Sequence, residues 1–140
     1  MKHFYEILNK LLNGLLVLLG FSTISCERRV EYGTPYADFQ INGQITEAES
    51  QKLLENIQIA ITVKNYFEEF SDTIYSDANG NFSRQYDVFP TNNDSVIVIF
   101  NDTTGEHQSK QVAEKLNYTN GYGAWYAGSD EININIELEK

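Results

Sequence analysis

Two side chains stand out for the chemistry they could do: Cys26, the only cysteine of the 140 residues, and His107, one of two histidines. A lone cysteine cannot close an intramolecular disulfide, so its thiol is available for modification. The other histidine, His3, lies in the N-terminal segment, which leaves His107 as the candidate base. His107 stands in a polar loop, without a nucleophile elbow, a Ser-His-Asp spacing or a glycine-rich phosphate loop. We therefore expect a solvated His107, and we predict no catalytic residue and no cofactor.

Metal ligands are equally sparse. Zinc is disfavoured, because residues 26–140 hold one histidine and one cysteine. Calcium prefers clustered oxygen ligands, and one short segment supplies some, namely Asn101, Asp102, Gly105 and Glu106. Their spacing does not fit an EF-hand loop, so an ordinary polar turn is the alternative. We predict no metal site.

The segment before Cys26 has the layout of an export signal. Lys2, His3 and Lys10 precede a short apolar run, small residues follow it, and a polar, acidic chain comes next. The apolar run is shorter than the roughly 20 apolar residues that span a bilayer. We predict a signal peptide over residues 1–25, a tether over 26–35 and a single folded domain over 36–140.

Cys26 lies where such a signal is cut. Ile24, Ser25 and Cys26 resemble a bacterial lipobox, in which lipid, palmitate included, is attached to the cysteine and the chain is cleaved just before it. Thr23 departs from the aliphatic residue usual at its position, so an ordinary secretory signal or an uncleaved anchor is the alternative. The resemblance implies lipidation of Cys26 and a lipid-anchored protein of the cell envelope, at the outer membrane.

The charge balance excludes two kinds of partner. Of 10 basic and 20 acidic residues, Lys2, Lys10 and Glu6 precede Cys26, so residues 26–140 carry 8 basic and 19 acidic residues and a net charge of −11. Nucleic acid requires a basic surface, and anionic lipid attracts one. We therefore expect no nucleic acid partner, and attachment to a membrane through the lipid on Cys26 alone.

Aromatic residues and glycines are concentrated late in the chain. Tyr118, Tyr122, Trp125 and Tyr126 could form a platform for a sugar or a peptide, because aromatic rings offer rigid contact area at low entropic cost. The alternative is that Trp125 covers the hydrophobic core and that only one or two tyrosines are exposed. Tyr122, Trp125 and Tyr126 are the candidate partner-binding residues.

Three tripeptides place a hydroxyl residue after an aspartate: Asp72-Thr73-Ile74, Asp94-Ser95-Val96 and Asp102-Thr103-Thr104. They resemble the Asp-Ser/Thr-aliphatic acceptor of Bacteroides-type O-glycosylation, which implies Thr73, Ser95 and Thr103 as candidate glycosylation sites. The alternative for each is turn chemistry, since these side chains bond to their own backbone at strand ends.

Alternation of apolar and polar residues dominates the chain after residue 35 and predicts strands. The predicted strands cover residues 37–45, 57–63, 72–76, 82–89, 96–100 and 132–138. The continuous apolar run 96–100 is typical of a strand covered on both faces. Asn79-Gly80 predicts a tight turn, and hence a hairpin between the third and fourth of these strands.

Two segments stay ambiguous. Residues 47–56 could form a helical turn or a loop, and residues 108–118 could form a short helix or lead into a strand near 116–119. With that last strand the count is seven, and no long amphipathic helix follows the signal. The sequence therefore predicts an all-β fold, a seven-stranded antiparallel β-sandwich.

Two features resemble the carboxypeptidase regulatory-like, transthyretin-type β-sandwich. One is Ile41-Asn42-Gly43-Gln44-Ile45-Thr46 ahead of the strand at 57–63. The other is Ser76-Asp77-Ala78-Asn79-Gly80-Asn81-Phe82, which is similar to the Thr-Asp-x-x-Gly-x-Phe hairpin of those domains. The resemblance covers residues 39–88 and implies a seven-stranded transthyretin-like or Ig-like domain.

A narrower resemblance is to small lipoproteins of Bacteroides-type bacteria that are encoded beside a radical-SAM enzyme. It rests on residues 32–39, Tyr-Gly-Thr-Pro-Tyr-Ala-Asp-Phe, and on residues 123–128, Gly-Ala-Trp-Tyr-Ala-Gly, which match that family's Gly-x-Trp-Tyr-x-Gly. Residues 50–56 lack the family's Gly-Lys-Pro-like loop, and residues 101–106 depart from its acidic loop. The resemblance implies a radical-SAM enzyme as a partner and implies no activity.

These observations favour a membrane-tethered cell-envelope lipoprotein that acts as a non-enzymatic binding or accessory module for a protein or glycan partner. The alternative is a substrate or accessory protein of a radical-SAM maturation system. A covalent change to a side chain would distinguish the alternative from simple binding.

Overall fold

The computed structural model describes residues 1–18 and 33–140, so the predictions for Cys26 and for most of the tether lie outside the described residues. A helix, α1, covers Lys2–Leu18 within the predicted signal peptide. In the described ranges, no helix has both the length and the apolar character needed to cross a membrane. The residues from 33 onward form a unit of their own, and all the strands given below belong to it.

Eight strands, one more than predicted, build this unit. They are β1 (Tyr36–Glu47), β2 (Gln58–Lys64), β3 (Glu69–Tyr75), β4 (Asn81–Val88), β5 (Ser95–Asn101), β6 (Lys110–Lys115), β7 (Thr119–Tyr122) and β8 (Tyr126–Leu138). They pair into sheet A, in the order β4-β1-β8-β7, and sheet B, in the order β3-β2-β5-β6. The predicted all-β sandwich is confirmed. The uncounted strand is the short β7, whose four residues are all exposed and show no alternation.

Sheet A is not wholly antiparallel. Its two long central strands, β1 and β8, run parallel, from the pair Tyr36–Tyr126 to the pair Glu47–Leu138. The edges β4 and β7 are antiparallel to them, and sheet B is antiparallel throughout. Two parallel strands must be joined by a long crossover connection, and here the chain from β2 to β7 forms it. Whether two strands run parallel depends on the connection between them. The alternation of apolar and polar residues within each strand does not reveal it.

The inner faces of the two sheets form the hydrophobic core. The buried residues include Phe39, Ile41 and Ile45 of β1, Ile59, Ile61 and Val63 of β2, Val96, Val98 and Phe100 of β5, and Ile132, Ile134, Ile136 and Leu138 of β8. These are the inward positions of the predicted strands. Each large side chain that leaves water in this way contributes roughly 1.5–3 kcal/mol to folding.

The prediction that residues 96–100 are covered on both faces is wrong. Val96, Val98 and Phe100 are fully buried, but Ile97 is half-buried and Ile99 is 36 % exposed. The outer face of sheet B is thus open to solvent at this strand. β-branched side chains suit a pleated, half-buried surface, so an unbroken apolar run does not require two covered faces.

Asn79-Gly80 forms the predicted tight turn but not the predicted hairpin. The N–H of Gly80 donates to the carbonyl of Asp77 at 2.9 Å, and Gly80 has a φ of 69°. β3 pairs with β2 in sheet B, whereas β4 pairs with β1 in sheet A. The turn therefore carries the chain from one sheet to the other. A Cβ at Gly80 would lie 2.5 Å from the carbonyl oxygen of Ile45, where the turn meets β1.

The two ambiguous segments take defined forms. Residues 108–118 contain an edge strand, β6, paired with β5, rather than a helix. The strand covers Lys110–Lys115, so its predicted position near residues 116–119 is wrong. Residues 48–57 form a loop, in which Leu54 is buried and Leu53 makes an isolated bridge to Thr46. Leu116, directly after β6, is also buried, so both segments contribute to the ends of the core.

Candidate functional site

Four ionisable side chains meet at the end of the sandwich where β1, β5 and β8 finish. Glu47 closes β1, Asp102 follows β5, His107 precedes β6 and Lys140 follows β8. All four line a cleft with a volume of about 500 Å³. We call them the histidine cluster.

His107 is buried, with 9 % of its surface exposed, so the expectation of a solvated side chain is wrong. Its Nδ1 lies 2.7 Å from Oδ2 of Asp102, and its Nε2 lies 3.1 Å from Oε1 of Glu47. An ionised carboxylate only accepts hydrogen bonds, so both ring nitrogens donate and the ring is an imidazolium. The hydrogen bond to Asp102 raises the pKa of His107 against the opposing effect of burial, and the bond to Glu47 raises it further.

Glu47 is the shared acceptor of the histidine cluster. Hydrogen bonds from Ser50, Lys140 and His107 lower the pKa of Glu47 to about 2. The Lys140 Nζ lies 2.9 Å from Oε1, the same oxygen that faces His107. The two cations therefore hold the end of β1 to the chain segments that carry them.

Asp102 is ionised in spite of its burial. Burial alone would raise the pKa of this carboxyl, but hydrogen bonds from His107 and Thr104 outweigh it and lower the pKa to about 2. The N–H and the hydroxyl of Thr104 lie 2.9 and 2.7 Å from Oδ1. With Glu47, Asp102 balances the positive charges of His107 and Lys140.

The side chains of the histidine cluster are already bonded to one another. A general base needs a free lone pair, and neither ring nitrogen of His107 has one while both donate. Ligand atoms of Asp102, Glu106 and His107 lie within 4.8 Å of one another, but a metal there would require His107 to lose its proton and its bond to Asp102. We interpret the cluster as structural: it ties the ends of β1 and β8 to the loop between β5 and β6.

Two of the candidate oxygen ligands in the segment 101–106 are engaged within the fold. The Asn101 side chain accepts a hydrogen bond from Ser109, whereas the Asp102 carboxylate is buried in the histidine cluster. The N–H of Gly105 donates to the carbonyl of Asp102 at 3.0 Å and closes a turn. The segment thus contains a turn, and the absence of a metal site stays a prediction.

Three tyrosines form a row across sheet A at the opposite end of the sandwich. Tyr36 opens β1, Tyr126 opens β8 and Tyr122 closes β7. The ring centroids lie 5.1 Å apart for Tyr36 and Tyr126, and 5.0 Å apart for Tyr126 and Tyr122, with 50° between the planes in both pairs. We call this the tyrosine row. Its spacing follows from the register, which pairs Tyr126 with both neighbours.

The tyrosine row is exposed, and a hydrogen bond holds its central ring. Tyr122 is 72 % exposed and Tyr36 is 44 % exposed, while Tyr126 between them is half-buried. The Tyr126 hydroxyl donates to Asp38 at 2.5 Å, and this hydrogen bond raises the pKa of Tyr126. Rings held in place before binding lose little rotamer freedom on binding, which favours affinity.

The structure brings two of the predicted aromatic residues together. Tyr122 and Tyr126 belong to the tyrosine row. Trp125 is half-buried. It is not one of the described residues that form the hydrophobic core or pack against it, so it does not cover the core. Tyr118 packs against the core instead of joining the row.

Tyr36 is the member of the row that the sequence does not single out. It lies far from the other two in sequence, and only the parallel pairing of β1 with β8 brings it beside Tyr126. The available signal is the alternation itself, which places Tyr36 on the outward face with Asp38. The histidine cluster is hidden for the same reason, since Glu47 and His107 are 60 residues apart.

The predicted modification sites differ in exposure. Thr73 on β3 and Thr103 in the loop after β5 are exposed. Ser95 is half-buried, and its neighbours Asp94 and Val96 are buried. Cys26 lies outside the described residues, so lipidation stays a prediction.

Comparison with known proteins bears on the fold. No family model matches the sequence, and no curated protein is significantly similar to it. Among solved structures, 3-chlorocatechol 1,2-dioxygenase from Rhodococcus opacus superposes with a TM-score of 0.50 at 12 % identity, over 80 % of this chain and 62 % of that chain. This chain thus spans less than two thirds of the dioxygenase, and at such identity the likeness shows the fold alone.

Two further solved structures are similar at lower scores. The C-terminal domain of the shaft pilin spaA from Lactobacillus rhamnosus has a TM-score of 0.41 at 11 % identity, over 70 % of this chain and 97 % of that chain. A DUF3823 family protein from Parabacteroides merdae has a TM-score of 0.43 at 16 % identity, over 76 % of this chain and 46 % of that chain.

Proposed function

We propose that this protein is a lipid-anchored, non-enzymatic module of the cell envelope that binds a protein or glycan partner at the tyrosine row. The observation that carries the proposal is the row itself, in which two exposed rings make tilted contacts with a third ring whose hydroxyl donates to Asp38. Exposed aromatic rings in a fixed arrangement are typical of binding surfaces.

The state of His107 supports a non-enzymatic role. It is the only histidine after residue 25, and both of its ring nitrogens are engaged by carboxylates. Catalysis by this residue would require breaking an ion pair inside the histidine cluster. The exposed rings of the tyrosine row, in contrast, are suited to packing against a bound partner rather than to proton transfer.

The proposed anchor is the lipid on Cys26. The tether over residues 26–35 leads directly into Tyr36, the first member of the tyrosine row. A segment of that length spans at most about 35 Å when fully extended. The partner would therefore be held close to the outer membrane.

The anchor is tested by the intact mass of the protein purified from its native host, beside a Cys26→Ala variant. We expect the mass of residues 26–140 plus acyl groups, and we expect the variant to lack the acyl increment. An unlipidated chain that starts elsewhere would overturn the anchor. A further mass increment on another side chain would instead favour the alternative, a substrate of a radical-SAM maturation system.

The binding surface is tested by placing a benzophenone photo-crosslinker at position 122 and, as a control, at position 75. Tyr75 is 54 % exposed on the outer face of sheet B and is far from the tyrosine row. We expect a discrete adduct in native cells from position 122, which Tyr126→Ala removes, and none from position 75. Equal adducts from both positions, or none from position 122, would contradict a partner at the row.

A further inference from the structure

The tyrosine row is one end of a longer polar face on sheet A. The outward side chains of β4, β1 and β8 lie opposite one another in cross-strand rows, which are Gln85–Gln40–Glu131, Ser83–Asn42–Asn133 and Asn81–Gln44–Asn135. Asp87, Asp38 and Ser129 form the next row, beside the tyrosines. We call these rows the carboxamide face.

The carboxamide face has an unusual composition for a surface. Most of its side chains are Asn or Gln, and the outward positions of these three strands carry no lysine and no arginine. Carboxamides both donate and accept hydrogen bonds without carrying charge. The few charges present are carboxylates, so the face disfavours sulfated, phosphorylated and other anionic ligands.

Hydrogen bonds within the sheet hold the carboxamides in place. The Gln40 Nε2 donates to Ser83 at 3.0 Å, and the Asn42 Nδ2 donates to Glu131 at 3.0 Å. The Gln44 Nε2 donates to the carbonyl of Asn79 at 3.1 Å, at the cross-over turn. Because these amide N–H groups are engaged, the side-chain carbonyl oxygens are fixed acceptors.

A depression lies on the carboxamide face beside the tyrosine row. It has a volume of about 420 Å³, and Asp38, Gln40, Gln85, Asn120 and Glu131 are among the residues that line it. Asp38 belongs to both surfaces, because it accepts the Tyr126 hydroxyl and lines the depression. Hydrogen-bonding groups thus line the depression, and the tyrosine row lies next to it, beside Asp38.

We propose that this surface binds a neutral oligosaccharide, with sugar rings stacked on the tyrosine row and sugar hydroxyls bonded to Asp38, Glu131 and the carboxamides. A sugar ring has an apolar face, which suits aromatic stacking, and a polar rim whose hydroxyls both donate and accept. The carboxylates would attract a basic peptide, but most side chains of the face are uncharged carboxamides. This inference rests on the proposed function and names the class of partner.

The test uses the single tryptophan of the chain as a reporter, because Trp125 is half-buried and directly precedes Tyr126. The full-length protein is purified in a detergent without a sugar headgroup and screened on an array of neutral glycans. Hits are titrated as soluble oligosaccharides and followed by Trp125 fluorescence. Heparin and oligolysine serve as anionic and cationic comparators.

We expect saturable binding of a neutral oligosaccharide and none of heparin or oligolysine. Tyr122→Ala should weaken the affinity roughly tenfold, which corresponds to the loss of one stacked ring. Gln40→Ala combined with Gln85→Ala should also weaken it, whereas Tyr75→Ala, the matched exposed tyrosine, should leave it unchanged. Tyr122 is highly exposed, so its substitution leaves the core intact.

The proposal is overturned if no neutral glycan on the array binds, or if Tyr122→Ala and Tyr75→Ala have equal effects. Oligolysine binding that Tyr122→Ala abolishes would assign the surface to a basic peptide instead. Neither outcome affects the intact-mass result for Cys26 or the crosslink from position 122, so the failure of this inference is distinguishable from failure of the proposed function.

Discussion

Asp72 on β3 accepts a hydrogen bond from the Tyr86 hydroxyl on β4 at 3.0 Å, although the two strands belong to different sheets. The Arg84 Nε adds a second bond to the same oxygen at 2.9 Å. Burial opposes ionisation of Asp72, but the bonds from Tyr86, Thr73 and Arg84 outweigh it and lower its pKa. The Asp72 carboxylate thus links the two sheets where the edge strands β3 and β4 adjoin; we call this link the closure.

Tyr86→Phe removes the hydroxyl from this closure while keeping the ring that packs on Phe39 and Phe70. We expect a loss of about 1 kcal/mol in the free energy of unfolding, the usual value of one hydrogen bond. Urea unfolding followed by Trp125 fluorescence measures it. Tyr75→Phe is the control, since Tyr75 makes no side-chain hydrogen bond within the described ranges; equal losses for both variants would argue against the closure.

The histidine cluster makes stability depend on pH in two directions. Glu47 and Asp102 have ordinary pKa values of 4.5 and 3.8 and folded values of about 2, so their contribution is present above pH 4.5 and is lost as the pH falls toward 2. The pKa of His107 is raised above 6.5, so its contribution is complete below pH 6.5 and is lost as the pH rises through the raised value. We expect maximal stability between about pH 4.5 and 6.5.

Measuring the free energy of unfolding of His107→Gln across the same pH range distinguishes the contribution of this cluster from that of other titratable groups. At pH 6 the variant should lose about 3 kcal/mol, because two buried carboxylates lose their shared cation. The stability of the variant should also not fall as the pH rises above 6.5, whereas that of the native protein should fall as His107 loses its proton. A parallel decline of both proteins in that range would show that another group titrates.

Gly43 of β1 lies opposite Ile134 of β8 and Phe82 of β4. A Cβ at this position would lie 1.8 Å from the carbonyl oxygen of Ile134 and 3.0 Å from the Phe82 ring. Gly43→Ala should therefore push the two central strands apart and cost about 4 kcal/mol or more. Gly33→Ala, with nothing within 4 Å of the new Cβ, should leave the midpoint of urea unfolding unchanged. A Gly43→Ala protein as stable as the native one would mean that the strands tolerate a side chain there.

Asp94 is 1 % exposed and accepts the Tyr118 hydroxyl at 2.8 Å and the N–H of Thr91 at 2.9 Å. Tyr118→Phe should cost about 1 kcal/mol, and Asp94→Ala about 3 kcal/mol, because the latter leaves buried donors without an acceptor. The double variant should lose less than the sum, since the two changes share one bond. Strict additivity in urea unfolding would show that Tyr118 and Asp94 act independently.

Exposure ranks the three predicted glycosylation sites. Thr73 and Thr103 are open to an enzyme, whereas Ser95 lies between the buried Asp94 and Val96. We expect glycan on Thr73 or Thr103 and none on Ser95 in protein from the native host. Peptide mapping by mass spectrometry decides this, and a glycan on Ser95 alone would mean that modification precedes folding.

The core could be predicted because its signal is local. Alternation over a few residues places Phe39, Ile59 and Ile134 on inward faces wherever the strands end up. The pairing partners of the strands could not be predicted in this way. Asn79-Gly80 predicts a turn but does not indicate the sheet to which β4 belongs. That choice is made by pairing with β1, in which the partner of Gln85 is Gln40, 45 residues earlier in the chain.

The candidate sites were less predictable than the core for the same physical reason. His107 is surrounded in sequence by polar residues, and its burial depends on Glu47, which is 60 residues away. Tyr122 and Tyr126 are close in sequence, so their shared surface could be expected from composition. Tyr36 joins them only through the parallel register of β1 and β8.

That parallel register also has a mechanical consequence. Tyr36 and Glu47 mark the ends of β1, and Tyr126 and Leu138 those of β8, so the first and last strands lie side by side and point the same way. Tension between the two ends of the sandwich would run along both strands and load their evenly spaced hydrogen bonds in shear. The bonds would then have to fail together, whereas a hairpin pulled from its ends is peeled open one bond at a time.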